Sequence, residues 1–212
     1  AQNFNDTWIF DQSKNDWIQL IVASSPSLRY AHAMASSGDG GNVVLFGGSD
    51  SDSNNLNDTW IFDQLTNKWM QIDTKSSSPP GCFFHAMTSL GDSGRILLFG
   101  GTDGVNFFKD TWIFEPSLNK WTKDLRITTS PSGRAEHGMA LLEINGNGNV
   151  LLYGGFVNGN KNWETWIYDQ KMGKWKKVTD TIHSPSARVL TAIAPLGVNG
   201  KIVLFGGYDY IN

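Results

Sequence analysis

The chain has one cysteine, Cys82, among 212 residues, so it cannot form an intrachain disulfide, and a cysteine-based metal centre would need ligands that are missing. Its single thiol leaves the redox compartment open. No apolar run approaches the roughly 18 residues of a membrane span, and no basic n-region followed by an apolar h-region precedes Ala1. A soluble chain is expected. It begins Ala-Gln rather than with Met, as a processed product or an excised segment would. Charged residues make up only 17%, the formal net charge is −3, and there is no Lys/Arg run of the kind that neutralises phosphates. The locally basic "KMGKWKKV" reads as a solvated strand edge, so neither nucleic acid nor membrane is an expected partner.

What is present in quantity is glycine, at 23 residues, and tryptophan, at 9. With so little charge, this composition describes a turn-rich, aromatic-rich globular chain of the all-β class. An internal repeat is plain. "NDTWIF" at the start returns from Asn57, and "DTWIF" and "ETWIY" follow at Asp110 and Glu164. The motif tryptophans Trp8, Trp60, Trp112 and Trp166 are 52, 52 and 54 residues apart, and each is followed nine positions later by Trp17, Trp69, Trp121 or Trp175. Glycine pairs at Gly47-Gly48, Gly100-Gly101, Gly154-Gly155 and Gly206-Gly207 close the runs "VVLF", "ILLF", "VLLY" and "IVLF". A Ser-Pro at Pro26, Pro79, Pro131 and Pro185 opens each unit.

Within a unit the pattern predicts four short antiparallel strands. In the first these are "RYAHAMAS", "NVVLF", "DTWIFD" and "KWMQI", separated by turn residues. Consecutive apolar positions in "VVLF" and "TWIF" imply sheets covered on both faces, and such sheets stacked around an axis describe a β-propeller. The glycine pair is expected where a bulky neighbour, such as one of the repeated tryptophans, approaches the backbone.

The order Arg-x-x-His, Leu-Phe-Gly-Gly, Asp-Thr-Trp-x-Phe-Asp, Trp resembles the kelch repeat over essentially the whole chain. The second unit departs from it with Cys82 in place of Arg, and the fourth with Thr191 in place of His. The resemblance implies blades that run from an innermost first strand to an outermost fourth. The chain ends after two strands of a unit, and its first twenty residues supply two more. The expected fold is therefore a single domain forming a closed propeller of four blades. Its units are 26–78, 79–130, 131–184, and 185–212 completed by 1–25. A segment of a longer ring, or a half-ring that dimerises into eight blades, are the alternatives.

Residues copied in every unit are better explained by architecture than by chemistry. His32, His85 and His137 share one repeat position, and the bland reading, a hydrogen-bonded structural histidine, is preferred to a metal ring. Asp6, Asp58, Asp110 and Glu164, and the second set Asp11, Asp63, Glu115 and Asp169, recur at one spacing. That suits turn and strand-end bonding rather than an asymmetric catalytic pair. Arg29, Arg134 and Arg188 start the first strands, three residues before the histidine position and hence expected on the opposite strand face. Their roles are ion pairs with a repeat carboxylate or a basic ring near the axis. The copper-radical oxidases of the resembling family call for tyrosines, histidines and a crosslinking cysteine, whereas Cys82 sits at a repeat position. No catalytic residue, metal or cofactor is expected.

The loops between the glycine pair and Asp-Thr-Trp differ from unit to unit. Leu56, Phe108 and Phe4 recur there and are expected to be buried. Phe107, Phe156, Trp163, Tyr208 and Tyr210 have no repeat counterpart. These five aromatics, with Arg29, Arg134 and Arg188, form the candidate binding face. The resemblance implies a scaffold for a protein or peptide. A lectin is the alternative, with Asp103, Asn106, Asn158 or Asp209 beside the aromatics, and a remnant or domain of a kelch-containing enzyme is a further one.

Overall fold

The computed structural model describes residues 3–37, 41–74, 77–142, 148–197 and 200–209. Three complete four-stranded antiparallel sheets follow one another along it. The first contains β3 (Ala33–Ser36), β4 (Val43–Phe46), β5 (Thr59–Asp63) and β6 (Lys68–Ile72). The second contains β7 (Ala86–Ser89), β8 (Ile96–Phe99), β9 (Thr111–Glu115) and β10 (Lys120–Lys123). The third contains β11 (Gly138–Leu142), β12 (Asn149–Tyr153), β15 (Thr165–Asp169) and β16 (Lys174–Lys177), and a small hairpin of β13 (Phe156–Val157) and β14 (Asn160–Lys161) lies in its middle loop. Register repeats with the sequence: Leu45 faces Trp60, Leu98 faces Trp112 and Leu152 faces Trp166. No helix is long and apolar enough to cross a membrane among the described residues.

The core lies between sheets. Val44, Phe46 and Ile61 of the first sheet pack against Met87, Leu98, Phe114 and Trp121 of the second. Leu97 and Phe99 of the second pack against Met139, Val150, Leu152, Tyr168 and Trp175 of the third. This accounts for the apolar strands: β8 is buried at all four positions because it has a sheet on each face. One bond recurs at each step. Trp69 Nε1 donates to Thr7 Oγ1, Trp121 Nε1 to Thr59 Oγ1 and Trp175 Nε1 to Thr111 Oγ1, each at 2.9 Å. The tryptophan of one outer strand is thus tied to the Asp-Thr-Trp strand of the preceding unit. The result is a propeller-like stack.

The first strand of each unit is shorter than the sequence pattern predicts. Ala31, Phe84, Glu136 and Leu190 adopt positive φ of 52°, 56°, 60° and 55°, which breaks the extended backbone just before the histidine position. The kink has a use. Phe84 N–H donates to the Ala31 carbonyl, Glu136 N–H to the Phe84 carbonyl and Leu190 N–H to the Glu136 carbonyl, each at 2.9 Å. A belt of backbone hydrogen bonds therefore links the units along their inner edge, beside the successive contacts of β3 with β7, β7 with β11, and β11 with β17 (Ala192–Pro195). Counting strand alternation from Arg29 to His32 fails because this residue lies between them.

The terminal strands depart from the expected single four-stranded blade. β1 (Thr7–Asp11) pairs with β2 (Asp16–Leu20), and β17 pairs with β18 (Ile202–Phe205), as two separate two-stranded sheets. The steps between units leave β17 without a contact to β3 comparable to those of β3 with β7 or β7 with β11. The burial of β18 shows the consequence: it alternates half-buried and exposed, whereas β4 and β8 are buried almost throughout.

Candidate functional site

The loop joining the second and third strands of each unit meets the start of the first strand through short antiparallel bridges. Tyr30 faces Ser49, Phe83 faces Thr102, Ala135 faces Phe156 and Val189 faces Tyr208. Phe156 and Tyr208 thus hold equivalent places in the third and fourth units, and Phe107 bridges Thr102 beside them. Phe107 and Phe156, from neighbouring units, touch there with ring centroids 5.8 Å apart. Trp163 is 57% and Tyr208 55% exposed, which for such large rings leaves most of an aromatic face open to a ligand. Tyr210 lies outside the described residues. Lys161 of the third unit forms an ion pair with Asp209 of the fourth, so the two loops are joined by charge as well.

Arg29 and Arg134 are withdrawn from this face. Arg29 donates to both carboxylate oxygens of Asp58 at 2.7 and 2.8 Å, to the Gly47 carbonyl and to Ser27, with its side chain 3% exposed. Arg134 repeats the arrangement with Glu164, the Gly154 carbonyl and Ser132, fully buried. A guanidinium with its fork already occupied cannot also bind a ligand, so these two belong to the blade architecture. Burial alone would raise the Glu164 carboxyl, but hydrogen bonds from Lys177, Arg134 and Trp166 outweigh it and hold the pKa down to about 2. Arg188 makes the same bonds to Ser186 and the Gly206 carbonyl and is half-buried.

The second unit shows what the arginine does by lacking it. Cys82 fills the position, Asp110 turns instead to Lys123 at 2.8 Å, and Trp112 Nε1 is left buried without a partner among the described residues. In the neighbouring units that indole donates to Asp58 at 2.6 Å and to Glu164 at 3.1 Å. Cys82 is 1% exposed, with its sulfur 3.5 Å from His85 Nδ1. Burial, with Asp103 adding to it, pushes the thiol up to about 12. It is therefore expected to remain inert to Ellman's reagent in the native protein at pH 8 and to react stoichiometrically once unfolded. Rapid labelling without denaturant would contradict this placement.

The histidines are packing residues. His85 lies edge-on to Phe46 at 5.6 Å and His137 edge-on to Phe99 at 5.7 Å. Each also explains a glycine pair. A Cβ on Gly47 would come within 3.1 Å of His85 Cε1, and one on Gly48 within 2.9 Å of His32 Cβ. The neighbours that require glycine are thus histidines and carbonyls, not the tryptophans suggested by the repeat. The expected histidine hydrogen bonds are only partly made: among the described residues His32 Nδ1, His85 Nε2 and both ring nitrogens of His137 are buried without partners. No group of three or more His, Cys, Asp or Glu side chains converges to hold a metal among the described residues.

Of the recurring loop residues, Phe108 packs against the core and Leu56 is half-buried, but Phe4 is 68% exposed. Tyr30, Phe83 and Val105 are further apolar groups of the loop face, with Tyr30 44% and Val105 85% exposed. They escaped the sequence reading because Tyr30 and Phe83 sit inside the predicted first strand. The signal was the variation Tyr, Phe, Ala, Val at one repeat position.

A family model for the KLHDC2/KLHL20/DRC7 kelch-repeats domain matches residues 1–207. The chain belongs to the kelch-repeat family. It is 30% identical over 214 residues to an F-box/kelch-repeat protein of Arabidopsis thaliana, covering 90% of this chain and 42% of that protein. It is also 29% identical over 174 residues to acyl-CoA-binding domain-containing protein 5 of Arabidopsis thaliana, covering 80% of this chain and 26% of the relative. A third similarity is to tRNA wybutosine-synthesizing protein 4 of Emericella nidulans, 31% identical over 161 residues and covering 71% and 14%. This kelch chain therefore spans less than half the length of each of these relatives.

Proposed function

We propose that the chain is a non-catalytic kelch binding module that engages a protein or peptide through the loop face carrying Phe107, Phe156, Trp163 and Tyr208. The observation that supports this most is the cross-unit aromatic patch itself. Phe107 and Phe156 touch, Trp163 and Tyr208 stay exposed on loops that no repeat constraint explains, and Tyr30 and Val105 extend the apolar area. Large aromatic side chains on a rigid scaffold supply binding energy with little ordering cost. Arg188 is the member of the arginine set still offered to a ligand.

The carbohydrate reading is weakened by what its polar candidates do. Asp103 accepts from Val105 N–H, Asn106 N–H and Asn106 Nδ2, bonds that shape its own turn and lower its pKa. Asp209 is paired with Lys161. A sugar would have to displace these bonds, whereas a peptide needs only apolar pockets and a polar rim.

Replacing Phe107, Trp163 and Tyr208 together by Ala is expected to weaken binding of a captured partner by at least tenfold, since individual aromatic hot spots carry about 2 kcal/mol or more. The melting temperature should hardly move. A pull-down from source lysate with both forms, beside a glycan array, reads the result. Undiminished binding by the triple variant, or a ligand that maps to the opposite face, would overturn the assignment.

A further inference from the structure

The turns beside the aromatic pair carry charge of one sign. Residues 49–57 of the first unit and 102–108 of the second hold Asp50, Asp52 and Asp103 and no lysine or arginine. Asp50 Oδ1 accepts the Asp52 and Asn54 amides at 2.9 and 2.8 Å, and its Oδ2 accepts Asn54 Nδ2 at 2.9 Å. Asp103 repeats this with the Val105 and Asn106 amides and Asn106 Nδ2, at 2.8, 2.6 and 3.0 Å. These bonds hold the two carboxylates in place without neutralising them. Each still has, on Oδ2, one of its roughly four acceptor positions for a further donor. Among the described residues none of the three aspartates forms an ion pair, and Lys109, the next lysine along the chain, is not joined to them.

The two turns are joined to each other and to the apolar patch. Asn55 Nδ2 donates to the Asp103 carbonyl at 2.7 Å, which ties the first loop to the second. Thr102 bridges Phe107, whose ring meets Phe156 of the third unit, and the exposed Val105 lies between Asp103 and Phe107 in the chain. A rim of carboxylates and an aromatic anchor are therefore one continuous surface. The arginine that would offset the charge is missing from the second unit. In the first, bonds from Asn54 lower the Asp50 pKa most, and the nearby charge of Arg29 adds to them. In the second, Cys82 takes that place, so Asp103 has a neutral thiol near it where Asp50 has a guanidinium.

We infer that this surface receives a peptide segment in which a lysine or arginine lies next to a large apolar residue, the cation meeting Asp103 and the Asp50 turn and the apolar side chain meeting Phe107 and Phe156. The inference rests on the loop-face reading above and adds to it the charge of the partner. A glutamate or aspartate in the same place would be set against three carboxylates, two of them fixed by their own turns. Charges at the rim of an interface act mainly on the association rate and its salt dependence, while a buried aromatic anchor governs how long the complex lasts. The two contributions can therefore be separated by experiment.

Biolayer interferometry of the immobilised 212-residue chain against two short Gly/Ser peptides tests this. Both peptides carry a central tryptophan, flanked by two lysines in one and by two glutamates in the other. The lysine peptide is expected to bind at least tenfold more tightly in about 50 mM salt, with the ratio shrinking in about 500 mM. Asp50→Asn with Asp103→Asn keeps the side-chain oxygens that cap the turns, so the melting temperature should hold while the lysine peptide associates about fivefold more slowly. Phe107→Ala should weaken both peptides. Equal binding of the two peptides, preference for the glutamate peptide, or an association rate unmoved by the double Asn variant overturns the inference. If Phe107→Ala still weakens binding in those cases, the loop-face reading stands without it. If neither peptide binds, the inference falls, and the pull-down with the triple alanine variant decides the loop-face reading by itself.

Discussion

Stability should fall steeply as pH is lowered from about 6.5 towards 4, well before most carboxylates titrate. His85 and His137 are buried between sheets, and burial lowers their pKa values to about 4 and about 3. The neighbouring His32 adds to the first shift, and Arg134 and His85 to the second. Unfolding releases both to an ordinary value near 6.5. Between the folded and unfolded values the unfolded chain binds protons that the native chain cannot, so each histidine removes roughly 1.4 kcal/mol of stability per pH unit over that window. Glu164 acts in the same direction lower down: its folded pKa of about 2 lies below the unfolded value, and its contribution is lost as pH falls from about 4.5 towards 2. Urea midpoints measured at intervals from pH 7 to 4 should decline throughout, and His137→Gln should flatten the decline by about half. Constant midpoints down to pH 4.5 would show that these imidazoles are not held neutral.

Arg134→Met should cost about 3–5 kcal/mol at pH 7, because it leaves the Glu164 carboxylate half-buried with only Lys177 and Trp166 as partners and unsatisfies the Gly154 carbonyl. Adding Glu164→Gln should recover much of the loss, since the isolated charge is then gone. The second unit supports that expectation. With Cys82 in the arginine position and Asp110 turned outwards to Lys123, it forms a sheet with the same strand order. Guanidinium denaturation of the single and double variants measures the difference. An Arg134→Met protein within 1 kcal/mol of the parent would mean that the pair breaks even against an apolar side chain.

The repeat pattern was legible because each structural device recurs in every unit. The Asp-Thr-Trp strand carries the threonine that receives the next unit's indole, and the glycine pair marks the approach of a side chain even though its identity was misjudged. Positions governed by backbone conformation were less legible. Nothing in Ala31, Phe84, Glu136 and Leu190 announces a positive φ, since none is Gly or Asn, and the interunit hydrogen bonds that stabilise it are between residues about 53 positions apart. The same kink hid Tyr30 and Phe83 from the loop face. That the terminal strands form two separate two-stranded sheets was unreadable for another reason: sequence counts the half-units, but how far apart their sheets lie comes from packing.

The inner belt also has a sense of travel. Every bond in it runs from an amide of one unit to a carbonyl of the unit before, so the stack has a head that presents a donor and a tail that presents an acceptor. Two heads would set N–H against N–H, and two tails carbonyl against carbonyl. Growth, closure and partnering of such a stack are consequently one-way: whatever joins it along the inner edge must arrive with the same polarity, and a face-to-face mirror arrangement is forbidden by the backbone before any side chain is consulted.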